Sequence, residues 1–111
     1  MNKVKMIILC AAGMSSGLIV NNIKKDAEKV GVEVDVSCSY SLRFREADYS
    51  DVDIVCFAPQ VRTQKADVEQ YLKEQGLNVS TYLIPPQDYG LARGEKILRA
   101  AIEEIETFKN K

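Results

Sequence analysis

Met6-Ile7-Ile8-Leu9-Cys10-Ala11-Ala12-Gly13-Met14-Ser15-Ser16-Gly17 is the stretch on which the reading of this chain turns. Four large apolar residues run unbroken into a cysteine, small residues follow, and helical periodicity begins at Leu18. That is the order of a strand, a loop and a helix N-terminus. The first N–H groups of a helix have no intrahelical partner, and the positive end of its dipole favours a thiolate and any dianion the thiolate carries. The stretch therefore points to phosphate chemistry on Cys10, with residues Ala11, Ala12, Gly13, Met14, Ser15, Ser16 and Gly17 as the phosphate cradle.

Working outward, residues 4–9 are near-continuously apolar, as a strand buried on both faces of a parallel sheet requires. Val20, Ile23, Ala27 and Val30 then recur at helical spacing, with Lys24, Lys25, Asp26, Glu28 and Lys29 mainly on the other face and Gly31 as the stop. Val32, Val34, Val36 and Cys38 alternate with Glu33, Asp35 and Ser37, which predicts a one-sided strand at a sheet edge with Cys38 as an inward small hydrophobe. Ser39 to Asp51 is polar and aromatic with weak helical character. Val52 to Phe57 reads as a buried strand that stops at Ala58-Pro59-Gln60, and Val61, Val68, Tyr71 and Leu72 sketch a second helix ending near Gly76. Asn78 to Ile84 reads as a fourth strand closed by Pro85-Pro86. In the last helix Ile97, Leu98, Ala101, Ile102, Ile105 and Phe108 form an apolar stripe opposite Glu95, Arg99, Glu103 and Glu106.

Residues 1–111 are thus expected to be a single domain without linkers or repeats. Alternating strands and helices predict an α/β fold, a three-layer domain around a four-stranded parallel sheet. Right-handed crossovers favour the strand order 2-1-3-4, which sets a topological switch point beside strand 1. Ligands bind such sheets outside the carboxyl ends of the strands at that point, where Cys10 and the strand 3 exit at Pro59-Gln60 fall together.

Composition removes several classes of function. There is no histidine, so a His-dependent triad, a phosphohistidine carrier and a His general base are all excluded. Cys10, Cys38 and Cys56 show no CxxC or other metal-ligand spacing, so neither a metal nor a cofactor is expected. Fifteen basic residues against sixteen acidic ones give no field for nucleic acid. Asn2-Lys3-Val4-Lys5 before an apolar stretch loosely mimics a secretory signal, but the run from Met6 to Ala12 is at the short limit and its removal would cost the first helix its sheet. No run approaches the ~20 apolar residues that cross a bilayer, so no direct membrane insertion is expected. An odd number of cysteines fits a reduced compartment, and a cytoplasmic location is expected.

Related phosphate loops differ in ways that matter. Gly13 and Gly17 have neither the spacing nor the lysine of a Walker A loop, and a Gly-x-Gly-x-x-Gly is absent. A cysteine phosphatase loop reads Cys-x₅-Arg, the guanidinium clamping the phosphoryl group in the transition state, whereas the sixth residue after Cys10 is Ser16. A loop that wraps phosphate without that cation holds a phosphocysteine rather than discharging it to water. This describes a relay, in which Cys10 attacks a phosphoryl donor in line and a later acceptor attacks the phosphorus.

Ile8-Leu9-Cys10-Ala11-Ala12-Gly13-Met14-Ser15-Ser16, Ala58-Pro59-Gln60 after the third strand, and Tyr89-Gly90 before the final helix together resemble the IIB component of the lactose/cellobiose/chitobiose branch of the bacterial sugar phosphotransferase system. The resemblance covers essentially the whole chain. It implies a domain related in layout to the low-molecular-weight cysteine phosphatases. It also implies that Cys10 accepts phosphate from a phosphohistidine on a IIA protein and passes it to a sugar, such as a β-linked disaccharide, held by the membrane IIC permease. Family loops continue Ser-Thr-Ser after the methionine; here Ser15-Ser16-Gly17 keeps the hydroxyl at 16 and lacks the one at 17.

Each nomination has a plainer counterpart. Gly13 and Gly17 also suit a tight turn, and Ser15 and Ser16 also cap a helix. Pro59 and Gln60 are either a strand terminator or a wall of the site. Asp88 lies where some small cysteine phosphatases keep a general acid, with a solvated turn aspartate as its ordinary reading, and Tyr89 is a wall residue or scaffold. Cys38 and Cys56 read as structural. Two other functions remain open at this point: a low-molecular-weight cysteine phosphatase, and a non-catalytic α/β interaction domain.

Overall fold

An apolar run without alternation belongs at the centre of a sheet, and β1 (Lys3–Cys10) is there, with every residue from Met6 to Cys10 buried. The computed structural model describes residues 2–11 and 16–110, Ser16 by its backbone alone. β2 (Glu33–Tyr40) pairs with one side of β1, placing Met6 opposite Val36 and Cys10 opposite Tyr40. β3 (Ile54–Phe57) pairs with the other side, Leu9 opposite Phe57, and β4 (Ser80–Leu83) lies beyond it. All pairings are parallel and the order is β2-β1-β3-β4, as the sequence predicts.

Four α-helices accompany the strands among the described residues: α1 (Ser16–Val30), α2 (Lys65–Glu74), α3 (Pro86–Gly90) and α4 (Gly94–Lys109). The crossovers β1-α1-β2 and β3-α2-β4 leave the middle of the sheet in opposite directions, so right-handed connections put α1 and α2 on opposite faces. α4 joins α1 through polar contacts as well as its apolar stripe. The Asn22 amide donates to the Ala92 carbonyl at 2.8 Å, Arg99 donates to the Lys29 carbonyl at 3.3 Å, and the Asp26 carboxylate accepts the N–H of Glu95 at 3.0 Å. Asp26 thus supplies, from another helix, the cap that α4's own flanking Arg93 does not. Gly94 makes this approach possible, because a Cβ there would fall 2.5 Å from the backbone carbon of Asn22.

Cover on the other face comes from aromatic packing. A 3₁₀ turn at Ser41–Glu46 brings Phe44 edge-on to Tyr71 of α2 at 5.5 Å, and Tyr49 meets the same ring at 6.4 Å. The Tyr49 hydroxyl donates to the Phe44 carbonyl at 2.6 Å, and the Arg45 guanidinium lies 4.4 Å over the Phe44 ring.

Several expectations need correction. Cys38 is exposed, not inward. On an edge strand no further strand extends cover outward, and of the alternating residues only Val36 is buried while Val32 and Val34 are half-buried. The third strand begins at Ile54 because the Asp53 carboxylate takes the Lys5 N–H at 2.9 Å in place of a ladder bond. Val61 belongs to a separate 3₁₀ turn, Pro59–Gln64, rather than to α2. The fourth strand is shorter than Asn78–Ile84. Pro85-Pro86 does more than close it, since Pro86 starts α3, a position where a missing N–H costs nothing. Phe108 ends the α4 stripe 36% exposed, beyond the sheet it was expected to cover.

Candidate functional site

Cys10 is the last residue of the central strand, and α1 begins six residues later, so the connection is short and delivers the helix N-terminus to the strand's carboxyl end. No acidic side chain lies in the first turn of α1 to offset the partial positive charge there. Ala11 is exposed. Ala12, Gly13, Met14 and Ser15 lie outside the described residues, as does the Ser16 side chain. Gly17 is exposed, and among the described residues no atom lies within 4 Å of where its Cβ would stand.

The Cys10 side chain is 2% exposed, and its Sγ lies 3.7 Å from the Ser39 carbonyl, a weak S–H donor contact. Across the β1–β3 gap the Leu9 carbonyl accepts the Ala58 N–H at 2.9 Å. That bond carries the strand 3 exit directly alongside Cys10, leaving Pro59 half-buried and Gln60 exposed in the following turn. Two flanks of the cysteine are therefore built by backbone: Ser39-Tyr40 at the end of β2 and Ala58-Pro59 at the end of β3. The first of these flanks is missing from the sequence reading. Its signal was the strand order itself, which puts the end of strand 2 beside the end of strand 1 once a register is known.

Asp88 and Tyr89 lie in α3, at the same end of the sheet, since α3 follows β4. Asp88 is not a solvated turn residue. It is buried, and its Oδ1 lies 3.2 Å from Arg93 Nη1 and 3.5 Å from Lys96 Nζ. Its backbone carbonyl also accepts the Arg93 N–H at 3.0 Å, so Asp88 ties the α3 corner to the start of α4. Tyr89 is buried as well, with its N–H on the Pro85 carbonyl. These contacts hold the α3 corner together at its junction with α4.

The other thiols differ in kind. Cys56, fully buried in β3, has its thiol pushed well above the ordinary range by desolvation, which keeps it neutral and inert. Cys38 is exposed in the edge strand, two residues before Tyr40.

Comparison with known proteins bears on what this arrangement does. Residues 5–100 match the family described as "PTS system, Lactose/Cellobiose specific IIB subunit". The chain is 32% identical over 107 residues to the galactose-specific EIIB component of Lactococcus lactis subsp. cremoris, covering 87% of this chain and 93% of that one. It is 30% identical over 99 residues to the lactose-specific EIICB component of Streptococcus mutans, covering 89% of this chain and 17% of that longer protein. Its fold overlays a solution structure of the cellobiose-specific phosphotransferase IIB component from Borrelia burgdorferi with a TM-score of 0.72 at 28% identity, covering 96% of this chain and 94% of that one. The match runs from within the central strand, through its cysteine, to the first turns of α4, and the chain belongs to the lactose/cellobiose-specific IIB family of the phosphotransferase system, whose members are phosphotransferases.

Proposed function

We propose that this chain, acting as one domain over residues 1–111, is the phosphocysteine carrier of a sugar phosphotransferase system. The observation that carries this reading is the placement of Cys10 at the carboxyl end of the central strand, at the switch point and one short loop from a helix N-terminus, in a chain of the IIB family. In the first step the Cys10 thiolate attacks the phosphorus of a phosphohistidine on a IIA protein. A P–S bond forms, the P–N bond breaks, and the imidazole leaves with its electron pair. In the second step a sugar hydroxyl attacks in line and its proton is released to the acceptor side or solvent, the O–P bond forms as the P–S bond breaks, and the thiolate is regenerated. Backbone N–H groups from Ala11 to Gly17, with the Ser15 and Ser16 hydroxyls, neutralise the charge that spreads over the three equatorial oxygens. Pro59 and Gln60 wall the site on the β3 side.

The acceptor in this reading is a sugar held by a membrane IIC permease. Support comes from the Streptococcus mutans relative, whose name joins IIC and IIB in one component. Relatives named for galactose, oligo-β-mannosides, cellobiose and lactose support a sugar of that group as the transported one, with a β-linked disaccharide such as cellobiose or lactose as our reading. No helix among the described residues is long and apolar enough to cross a membrane, and the reading places the carrier on the cytoplasmic side.

The test is phosphorylation by phosphoenolpyruvate, the general phosphotransfer proteins and a IIA protein, followed by mass spectrometry under conditions that preserve a thiophosphate. One phosphate on Cys10 is expected, none in Cys10→Ser, and normal loading in Cys38→Ser and Cys56→Ser. Wild-type labelling of a folded Cys10→Ser chain would falsify the assignment.

A further inference from the structure

β2 is an edge strand, and among the described residues no strand pairs with its outer side. At eight residues it is longer than the usual strand, and Glu33-Val34-Asp35-Val36-Ser37-Cys38-Ser39-Tyr40 contains no proline and no lysine, the residues that commonly guard an open edge. The direction of its backbone groups follows from the ladder. Glu33 donates its N–H to the Asn2 carbonyl at 2.9 Å, and Cys10 Sγ lies 3.7 Å from the Ser39 carbonyl, so Glu33, Asp35, Ser37 and Ser39 turn their peptide groups toward β1. Val34, Val36, Cys38 and Tyr40 alternate with them and turn theirs outward. Side chains along the second half of this edge are bare as well, since Cys38 is exposed and Tyr40 is 46% exposed.

Charge along the strand is uneven. Glu33 and Asp35 make the first half acidic, whereas Ser37 to Tyr40 is neutral. A parallel neighbour of the same sequence would set acid against acid, but an antiparallel one sets the acidic half against the neutral half. A two-fold axis normal to the sheet produces that antiparallel arrangement between two copies of one chain.

We infer that the outer edge of β2 pairs with the same edge of a second copy of this chain, antiparallel about a two-fold axis at Ser37. The backbone selects that register. It sets Val36 opposite Cys38 and Val34 opposite Tyr40, so each outward-turned residue meets an outward-turned residue of the other copy, which is the condition for exchanging N–H and C=O bonds. It also places Tyr40 against the β-branched Val34, a favourable cross-strand pair, and Asp35 against Ser39. An axis at Asp35 would oppose the two Asp35 carboxylates, and an axis at Val36 or Cys38 would carry Tyr40 or Val34 past the end of the opposite strand. Cys10 lies opposite Tyr40 in each copy, so the joined strands hold the two Cys10 residues at opposite ends and neither site covers the other. The inference goes beyond the relay reading and does not depend on it.

The test is sedimentation velocity of the chain, with reductant present to exclude disulfides, from about 5 μM to about 1 mM. A contact one strand wide is small, so a reversible dimer is expected with a dissociation constant on the order of 100 μM. Cys38→Pro removes an outward N–H and no bond to β1, and should weaken the dimer at least about tenfold. Ser37→Glu, which sets two carboxylates face to face across the axis, should do the same. Circular dichroism confirms folding, and if proline unfolds the strand the Ser37→Glu result decides. The register is read by cross-linking in a Cys10→Ser, Cys38→Ser chain treated with diamide. Ser37→Cys should give a covalent dimer, because residues at the axis face each other, and Glu33→Cys should not, because it faces Ser41. A wild-type chain that stays monomeric to about 1 mM overturns the inference and leaves the edge to an extended segment of another protein. A dimer unchanged in the folded variants, or one cross-linked through Glu33→Cys and not through Ser37→Cys, overturns it too.

Discussion

At the scale of the residue, one cysteine type occupies three environments, and the differences are set by position in the sheet. Cys56 has no exposed surface and a thiol raised by burial, while Cys38 is exposed on the edge strand. In a Cys10→Ser background, native-state alkylation at pH 8 should therefore modify Cys38 rapidly and Cys56 only at the rate of global unfolding; Cys56 labelling in the folded chain would contradict its placement. Ser16 is the residue that separates this loop from the Cys-x₅-Arg of phosphatases. Ser16→Arg should place a bidentate phosphate ligand over the loop and shorten the phosphocysteine lifetime after donor is removed, by about tenfold or more if the guanidinium favours the hydrolytic transition state. An unchanged lifetime in a folded variant would mean that loop geometry, not the missing cation, protects the intermediate. Asp88 should add no aryl-phosphatase activity to that variant, because its carboxylate is buried against Arg93 and Lys96.

At the scale of the element, the α1–α4 pair determines how firmly the helix that follows Cys10 is held. Gly94 admits α4 to within contact of the α1 backbone, where a Cβ would approach Asn22 C, Asn22 O and Ile23 N at 2.5, 2.6 and 2.7 Å. These are backbone atoms and cannot swing aside. Gly94→Ala should cost about 2 kcal/mol or more in denaturant unfolding, despite alanine's better helix propensity. Asp26→Ala removes the cap on Glu95 and should cost about 1 kcal/mol, read from the same transition. A neutral Gly94→Ala would show that the two helices can separate freely. The sequence shows α1 and α4 as amphipathic helices through their periodicity, but Gly94, Asn22 and Asp26 carry no sign in it of their joint role. Their partners lie about seventy residues apart, and only packing brings them together.

For the whole molecule, the buried groups that lose protons at high pH set an alkaline limit. Desolvation, with the neighbouring Tyr71, pushes Tyr49 up to about 12 from its ordinary 10, and burial pushes Cys56 up from its ordinary 9. Both groups bind their protons more tightly when folded, so both contributions are complete below pH 9; that of Cys56 begins to be lost as pH rises above 9, and that of Tyr49 is lost between pH 10 and about 12. Unfolding free energy should fall over that range with a slope approaching about 1.4 kcal/mol per pH unit for each group. Tyr49→Phe should flatten the slope between pH 10 and 12 while costing about 1 kcal/mol at pH 7 for the lost bond to Phe44. A slope unchanged by the substitution would assign the alkaline loss to other groups. The sequence by itself determined the α/β class and the strand order, and it nominated Cys10, because an unbroken apolar strand, a small-residue loop and a helical period are local patterns, and handedness then leaves few topologies. What only the tertiary structure decided was which faces are covered. Alternation could not say that Cys38 lies beyond the cover of an edge strand, and a turn aspartate could not announce that Arg93 and Lys96 fold back to bury it. Burial and charge pairing are properties of neighbours, and in this chain the neighbours are distant in sequence.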